Sequence, residues 1–159
     1  MDITINNNEI VTIIAKTIAL INDRLSEQNQ STLLDINEFT SHFAKNELTS
    51  ATSSVAEMIE RYVTDYNISD SATTLSLSLP VSFSLSEDAV ADELKTAIAD
   101  MLLSRYIADN VAVNYLIQLQ NERLKTSLTS LVTCLSSHRS RPVRTAPTKV
   151  KNIDKIKWQ

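Results

Sequence analysis

The sequence predicts a mainly α fold: a helical bundle with a long C-terminal helical hairpin, one strand-like arm at about 73–86 and an extended C-terminal tail. Three observations lead there. Apolar residues recur at helical spacing through most of the chain, the spacing changes to period two only once, and the 159 residues include no glycine. Average usage of about 7% would supply roughly 11 glycines. Their absence excludes the Walker phosphate loop, the dinucleotide-binding glycine fingerprint and the Gly-x-Ser-x-Gly nucleophile elbow, because each needs backbone that only glycine supplies.

The first helix is predicted over 9–28. Ile10, Ile13, Ile14, Ile18, Ile21 and Leu25 fall on one face, Asn7 or Asn8 can cap the start, and Glu9 suits the positive end of the dipole. A polar connection at 29–35 leads to a shorter helix over 37–47, with Ile36, Phe39 and Phe43 on one face and Asp35 as cap. After the Ser/Thr run 49–54, Ser54 and Glu57 have capping-box spacing and a third helix is expected over 55–66. Asn67 is its candidate left-handed cap.

Residues 73–86 then alternate. Leu75, Leu77, Leu79, Val81, Phe83 and Leu85 are separated by serines and Pro80, the pattern of a half-buried strand. No second strongly patterned strand lies nearby, and Pro80 cannot donate to a ladder. The missing partner comes either from another subunit, which makes these six residues an inter-subunit arm, or from an irregular hairpin of the same chain. The longest helical region begins at Ser86, a good cap followed by Glu87 and Asp88. Val90, Leu94, Ile98, Met101, Leu102 and Ile107 supply its core face. Asp109-Asn110 marks a joint, and a second helix runs to about Ser137 with Ile117, Leu124, Leu128, Leu131 and Leu135 on seam positions. Residues 1–137 are thus expected to form one helical domain and 138–159 a basic extended tail.

Charge separates the same two parts. Residues 138–159 hold seven of the 15 lysines and arginines and one acid, Asp154, for +6; residues 1–137 hold eight bases and 18 acids, for −10. The tail is the functional candidate. Arg139, Arg141, Arg144, Lys149 and Lys151 provide cations, and Ile153, Ile156 and Trp158 provide apolar anchors for a protein surface. Nucleic acid is the competing partner, and a solubilising tail the bland one.

Catalytic chemistry finds little to work with, and the expectation is a non-enzyme with no cofactor and no metal. His42, His138 and Cys134 do not make up a usual zinc set. Cys134 reads as a small core or edge residue, and His42 as a surface partner of Glu38. Asp88, Asp92 and Glu93, like Glu57 and Glu60, read as solvated or dipole-facing carboxylates. The longest apolar stretch, 10–21, spans 12 residues and includes Lys16, too short for a membrane span. Asp2 and Glu9 do not suit a signal peptide.

Residues Leu79-Pro80-Val81-Ser82-Phe83, the helix from Glu87 to Tyr106, the helix after it and Arg139-Ser140-Arg141-Pro142-Val143-Arg144 together resemble the head–tail connector, adaptor or neck ring proteins of tailed bacteriophages. The likeness is to those of crAss-like phages and covers about 55–146. It implies a structural virion protein of the neck or tail region, made in the host cytoplasm. Such a protein forms a ring homo-oligomer, commonly of twelve subunits, beneath the portal. Its partners would be itself and portal or adjacent neck and tail proteins, with DNA only as passing cargo. A small acidic helical assembly chaperone or adaptor binding a protein client is the alternative.

Overall fold

The structure, a computed structural model, describes residues 2–28, 34–68, 74–78, 86–111 and 113–137. It is mainly helical with a small antiparallel sheet. The chain opens with a strand, β1 (Asp2–Asn6), followed at once by helix α1 (Asn7–Glu27). Asn6, one residue before the expected caps, accepts a hydrogen bond from the Asn8 amide at 3.2 Å. Ile10, Ile14, Ile18, Ile21 and Leu25 are buried, as their spacing predicted. The side chain of Asn22 then clasps the returning backbone: Nδ2 donates to the Leu34 carbonyl at 2.9 Å, and Oδ1 accepts from the Leu34 amide at 2.8 Å.

Asp35 caps the next helical stretch by accepting from the Asn37 amide at 2.8 Å. This stretch departs from the expected pair of helices. Short α2 (Ile36–Glu38) runs through a π-turn (Phe39–Phe43) into α3 (Ala44–Ile59), so the Ser/Thr run 49–54 lies inside a helix. Ser54 caps nothing; its hydroxyl donates back to the Ser50 carbonyl at 3.0 Å. The buried face of α3 uses Ala44, Leu48, Ala51, Val55, Ala56 and Ile59, leaving the hydroxyls of Ser50 and Ser54 for Arg105. A single 3₁₀ turn (Glu60–Tyr62) ends the stretch, and residues expected to be helical continue as strand β2 (Asp65–Ile68). Asn67 is therefore a strand residue and no cap.

The alternating segment forms β3 (Thr74–Ser78), and both of its neighbours come from this chain. The order is β1–β3–β2, with Ile3 opposite Leu77, Ile5 opposite Leu75, and Tyr66 opposite Leu77 on the other side. This corrects the inter-subunit assignment for Leu75 and Leu77. A central strand has no open edge, and both leucines are buried against the helices. Leu79, Val81, Phe83 and Leu85 of the same expected arm lie outside the described residues.

Ser86 caps α4 (Glu87–Tyr106) by accepting from the Ala89 amide at 3.3 Å. The Asp109-Asn110 joint is a second π-turn (Ile107–Val111), where the Asn110 side chain donates to the Tyr106 carbonyl at 3.2 Å. α5 (Asn114–Ser137) returns antiparallel to α4: Ser104 meets Asn121, Asp100 meets Gln120 and Arg123, and Glu93 faces Cys134. α4 is the central element, packed by α1, α3, α5 and β1. At one end of it the two π-turns meet in an aromatic cluster. Phe39 and Phe43 both stand edge-on to Tyr106, with centroids 5.2 and 5.3 Å away.

Phe39 is completely buried in this cluster. Phe39→Ala is expected to lower unfolding stability by about 3–5 kcal/mol in urea titration, from lost burial and the cavity left behind.

Candidate assembly surfaces

The surfaces available for function follow from α4 being enclosed. α5 covers one side of it and keeps its own outer side for something else. Leu131 and Leu135, on the expected seam, are buried, whereas Ile117, Leu124 and Leu128 are only partly so. Leu124, Leu128 and Val132 form the apolar wall of a groove of about 440 Å³, rimmed by Asn121, Lys125, Thr129 and Thr133. Among the described residues its lining comes from α5 alone. The helix carrying it ends at Ser137, immediately before the basic segment. The tail residues Arg139, Arg141, Arg144, Lys149, Lys151, Ile153, Ile156 and Trp158 lie outside the described residues.

A second groove, of about 480 Å³, runs along the α4–α5 seam and is lined by Leu119 and otherwise by polar or charged residues. Glu93, Thr96, Asp100, Glu122, Arg123, Thr126, Ser127 and Ser130 are among its lining residues. At its inner end Asp100 is buried on α4. The Gln120 amide donates to both the backbone carbonyl and Oδ1 of Asp100 at 3.3 Å, and the Arg123 guanidinium stands 3.6 Å from Oδ1. Gln120 and Arg123 are three residues apart on one face of α5, so one carboxylate fixes two points on the opposing helix. Among the described residues the Oε1 atom of Gln120 is buried without a hydrogen-bond partner. Sequence patterning missed this cluster; a lone aspartate among alanines and leucines on a core helix was its available signal.

Two further ties hold other helices to α4. Arg105 donates to the hydroxyls of Ser50 and Ser54, each at 2.8 Å, and lies 3.6 Å from Glu47. Lys95 pairs with Glu9 of α1 at 2.8 Å and with Asp92 at 3.6 Å. The hydrogen bond from Lys95 to Glu9 leads the causes that raise the ammonium pKa, against a desolvation that lowers it. Half-exposed pairs of this kind stabilise by about 0–1 kcal/mol. They orient helices more than they hold them.

The residues with catalytic potential are placed as follows. Burial first, then the negative charge of Glu93, pushes the Cys134 thiol above its ordinary range, so the nucleophilic thiolate is disfavoured. His42 is exposed on the π-turn, and Glu38, four residues before it, hydrogen-bonds the Tyr106 side chain. Burial, then the negative charges of Glu38 and Asp35, raises the Tyr106 pKa. Glu57, Glu60 and Asp88 are exposed. Among the described residues no group of three or more His, Cys, Asp or Glu side chains is placed to hold a metal ion.

The sheet has two outer edges, on β1 and β2, that are unpaired among the described residues. Both strands are short, five and four residues, and carry Asp2 and Asp65 at their ends. Short, charged edges resist pairing with other chains. The helical surface of α5 is the better candidate for assembly.

Asp100→Ala should destabilise the fold by about 1–3 kcal/mol, because Arg123 loses its carboxylate partner and Gln120 keeps only the backbone carbonyl; chemical denaturation measures it. Cys134 should react with iodoacetamide near neutral pH more slowly than the cysteine of a short peptide. The difference should vanish in denaturant.

No protein-family model, curated protein or solved structure matches this chain.

Proposed function

We propose that the protein is a structural assembly subunit: a head–tail connector or ring component of a tailed-phage neck that oligomerises below the portal and helps form the DNA passage to the tail. The observation that carries the assembly part is the outer side of α5, where an apolar groove lies along a 24-residue helix that leads directly into the basic segment. Partly exposed apolar side chains in line along one helix offer a surface that a partner can cover. The connector part rests on the resemblance carried by Leu79–Phe83, the α4–α5 hairpin and the arginines at 139, 141 and 144. In this reading the helices pack side by side and residues 138–159 reach an acidic surface of the adjoining ring. The role is geometric and uses no cofactor.

Among the described residues no helix is long and apolar enough to cross a membrane. A virion location is part of the proposal.

Native mass spectrometry of the chain, alone and mixed with a portal ring, tests the reading. A closed ring near twelve times 17.7 kDa is expected. A species that stays monomeric or dimeric even with portal present overturns the ring and favours the chaperone alternative. Replacing Arg139, Arg141 and Arg144 together by alanine should weaken portal association and leave helical content unchanged. Undiminished association removes the tail from the mechanism. Duplex DNA binding that disappears between low and physiological salt would assign the tail to nucleic acid.

A further inference from the structure

We propose that the apolar groove on α5 is the docking site of this chain's own C-terminal residues 150–158, with Val150, Ile153, Ile156 and Trp158 as the anchoring side chains. The proposal takes from the preceding section only the view that the segment binds protein. It adds where the segment sits before a partner takes it.

Reach is the first argument. α5 ends at Ser137, and the groove wall runs back from Val132 to Leu124, five to thirteen residues earlier. At 1.5 Å per residue that places the wall about 8–20 Å from the end of the helix. The twelve residues 138–149 can extend to about 40 Å, enough to reverse direction and return along the helix with slack. No glycine is available for a tight reversal, so a connection of this length is what the return requires.

Chemistry is the second. The cations at 139, 141, 144 and 149 belong to the connecting part. The apolar residues gather beyond it, and they include the chain's one tryptophan. An indole and three branched aliphatic side chains can lie against Leu124, Leu128 and Val132 on this open face. Lys151, Lys155 and Lys157 alternate with these anchors and can stay in solvent over a body of charge −10. The body's net charge attracts the segment at long range, while the site itself, whose one charged rim residue among the described residues is Lys125, is met by the apolar anchors.

Tethering is the third. A segment attached to the helix that carries its site meets that site at millimolar effective concentration, well above the concentration of a second copy in dilute solution. The own-chain occupant is therefore favoured.

The single tryptophan makes the test direct. In the full chain, selectively excited Trp158 should emit at shorter wavelength than in a peptide of residues 148–159, be quenched weakly by acrylamide, and show both properties unchanged on dilution. Leu128→Lys should move the emission to that of the peptide and raise quenching severalfold. The double substitution Thr129→Lys and Thr133→Lys should do the same from exposed rim positions that leave the core untouched, with circular dichroism confirming the helices. Emission like that of the free peptide in the unaltered chain overturns the proposal. So does short-wavelength emission that survives the rim substitutions, which places the tryptophan elsewhere. Emission that lengthens on dilution assigns the groove to a second copy and overturns the own-chain occupant. Native mass spectra of the same samples separate this result from the assembly reading. A ring with exposed Trp158 ends only the present proposal, and a monomer with protected Trp158 ends only the ring.

Discussion

Helix α4 buries Val90, Leu94, Ala97, Ile98, Ala99, Met101, Leu102, Leu103 and Tyr106, residues that point in all directions around its axis. From Ala97 to Leu103 every residue is buried, so this part of the helix has no solvent face and its neighbours approach it from every side. Small residues make that possible. Ala97 and Ala99 leave room for other backbones, as do Ala51 and Ala56 on α3. With so few aromatic residues in the chain, the core depends on this close aliphatic packing more than on large side chains. The aromatic trio of Phe39, Phe43 and Tyr106 is reserved for the one end where both neighbouring helices widen into π-turns.

Enclosure also explains Asp100. A carboxylate on a surrounded helix has to be met inside the protein, because burying it unpaired costs far more than any single contact returns. α5 meets it with Gln120 and Arg123, which sets the register of the hairpin in a way leucines cannot. Apolar seams tolerate sliding by a turn, whereas two polar contacts converging on one buried carboxylate oxygen do not. The other side of α5 is free of this duty and is where its apolar groove lies.

The parts legible in the sequence are those where one physical signal dominates. α1 announced itself by six apolar residues on a single face, α4 by Ser86 and the acids after it, and the joint by Asp109-Asn110. The misread parts are those where two signals compete. The Ser/Thr run 49–54 looks like a linker because hydroxyl residues favour caps and turns. Inside α3 their hydroxyls bond the helix's own carbonyls and Arg105, and Ala51 and Val55 keep the buried stripe continuous. β1 and β2 escaped notice because each buries too few residues to establish a period, and Asn67 read as a terminator when its neighbours Tyr66 and Ile68 were alternating. The first π-turn left no mark in the sequence, since one inserted residue only rotates the face that follows. Of the candidate site, the seam leucines of α5 were legible and the groove beside them was not, because a periodic stripe does not say how deeply each of its members is buried.

The two kinds of pairing in this fold differ in how far apart along the chain their partners lie. α4 and α5 are neighbours across one short joint, so their hairpin can close as soon as both helices exist. Ile3 meets Leu77 across 74 positions, and most of the first half of the chain has to be ordered or looped out before that ladder forms. Loop closure on this scale is slow relative to helix formation. β1 is thus made first and paired late. Until residue 78 leaves the ribosome, Ile3 and Ile5 have no strand to lie against, and the helical hairpin is not yet made. Ile3 and Ile5 therefore wait longer along the chain for their partners than any residue of the α4–α5 hairpin does.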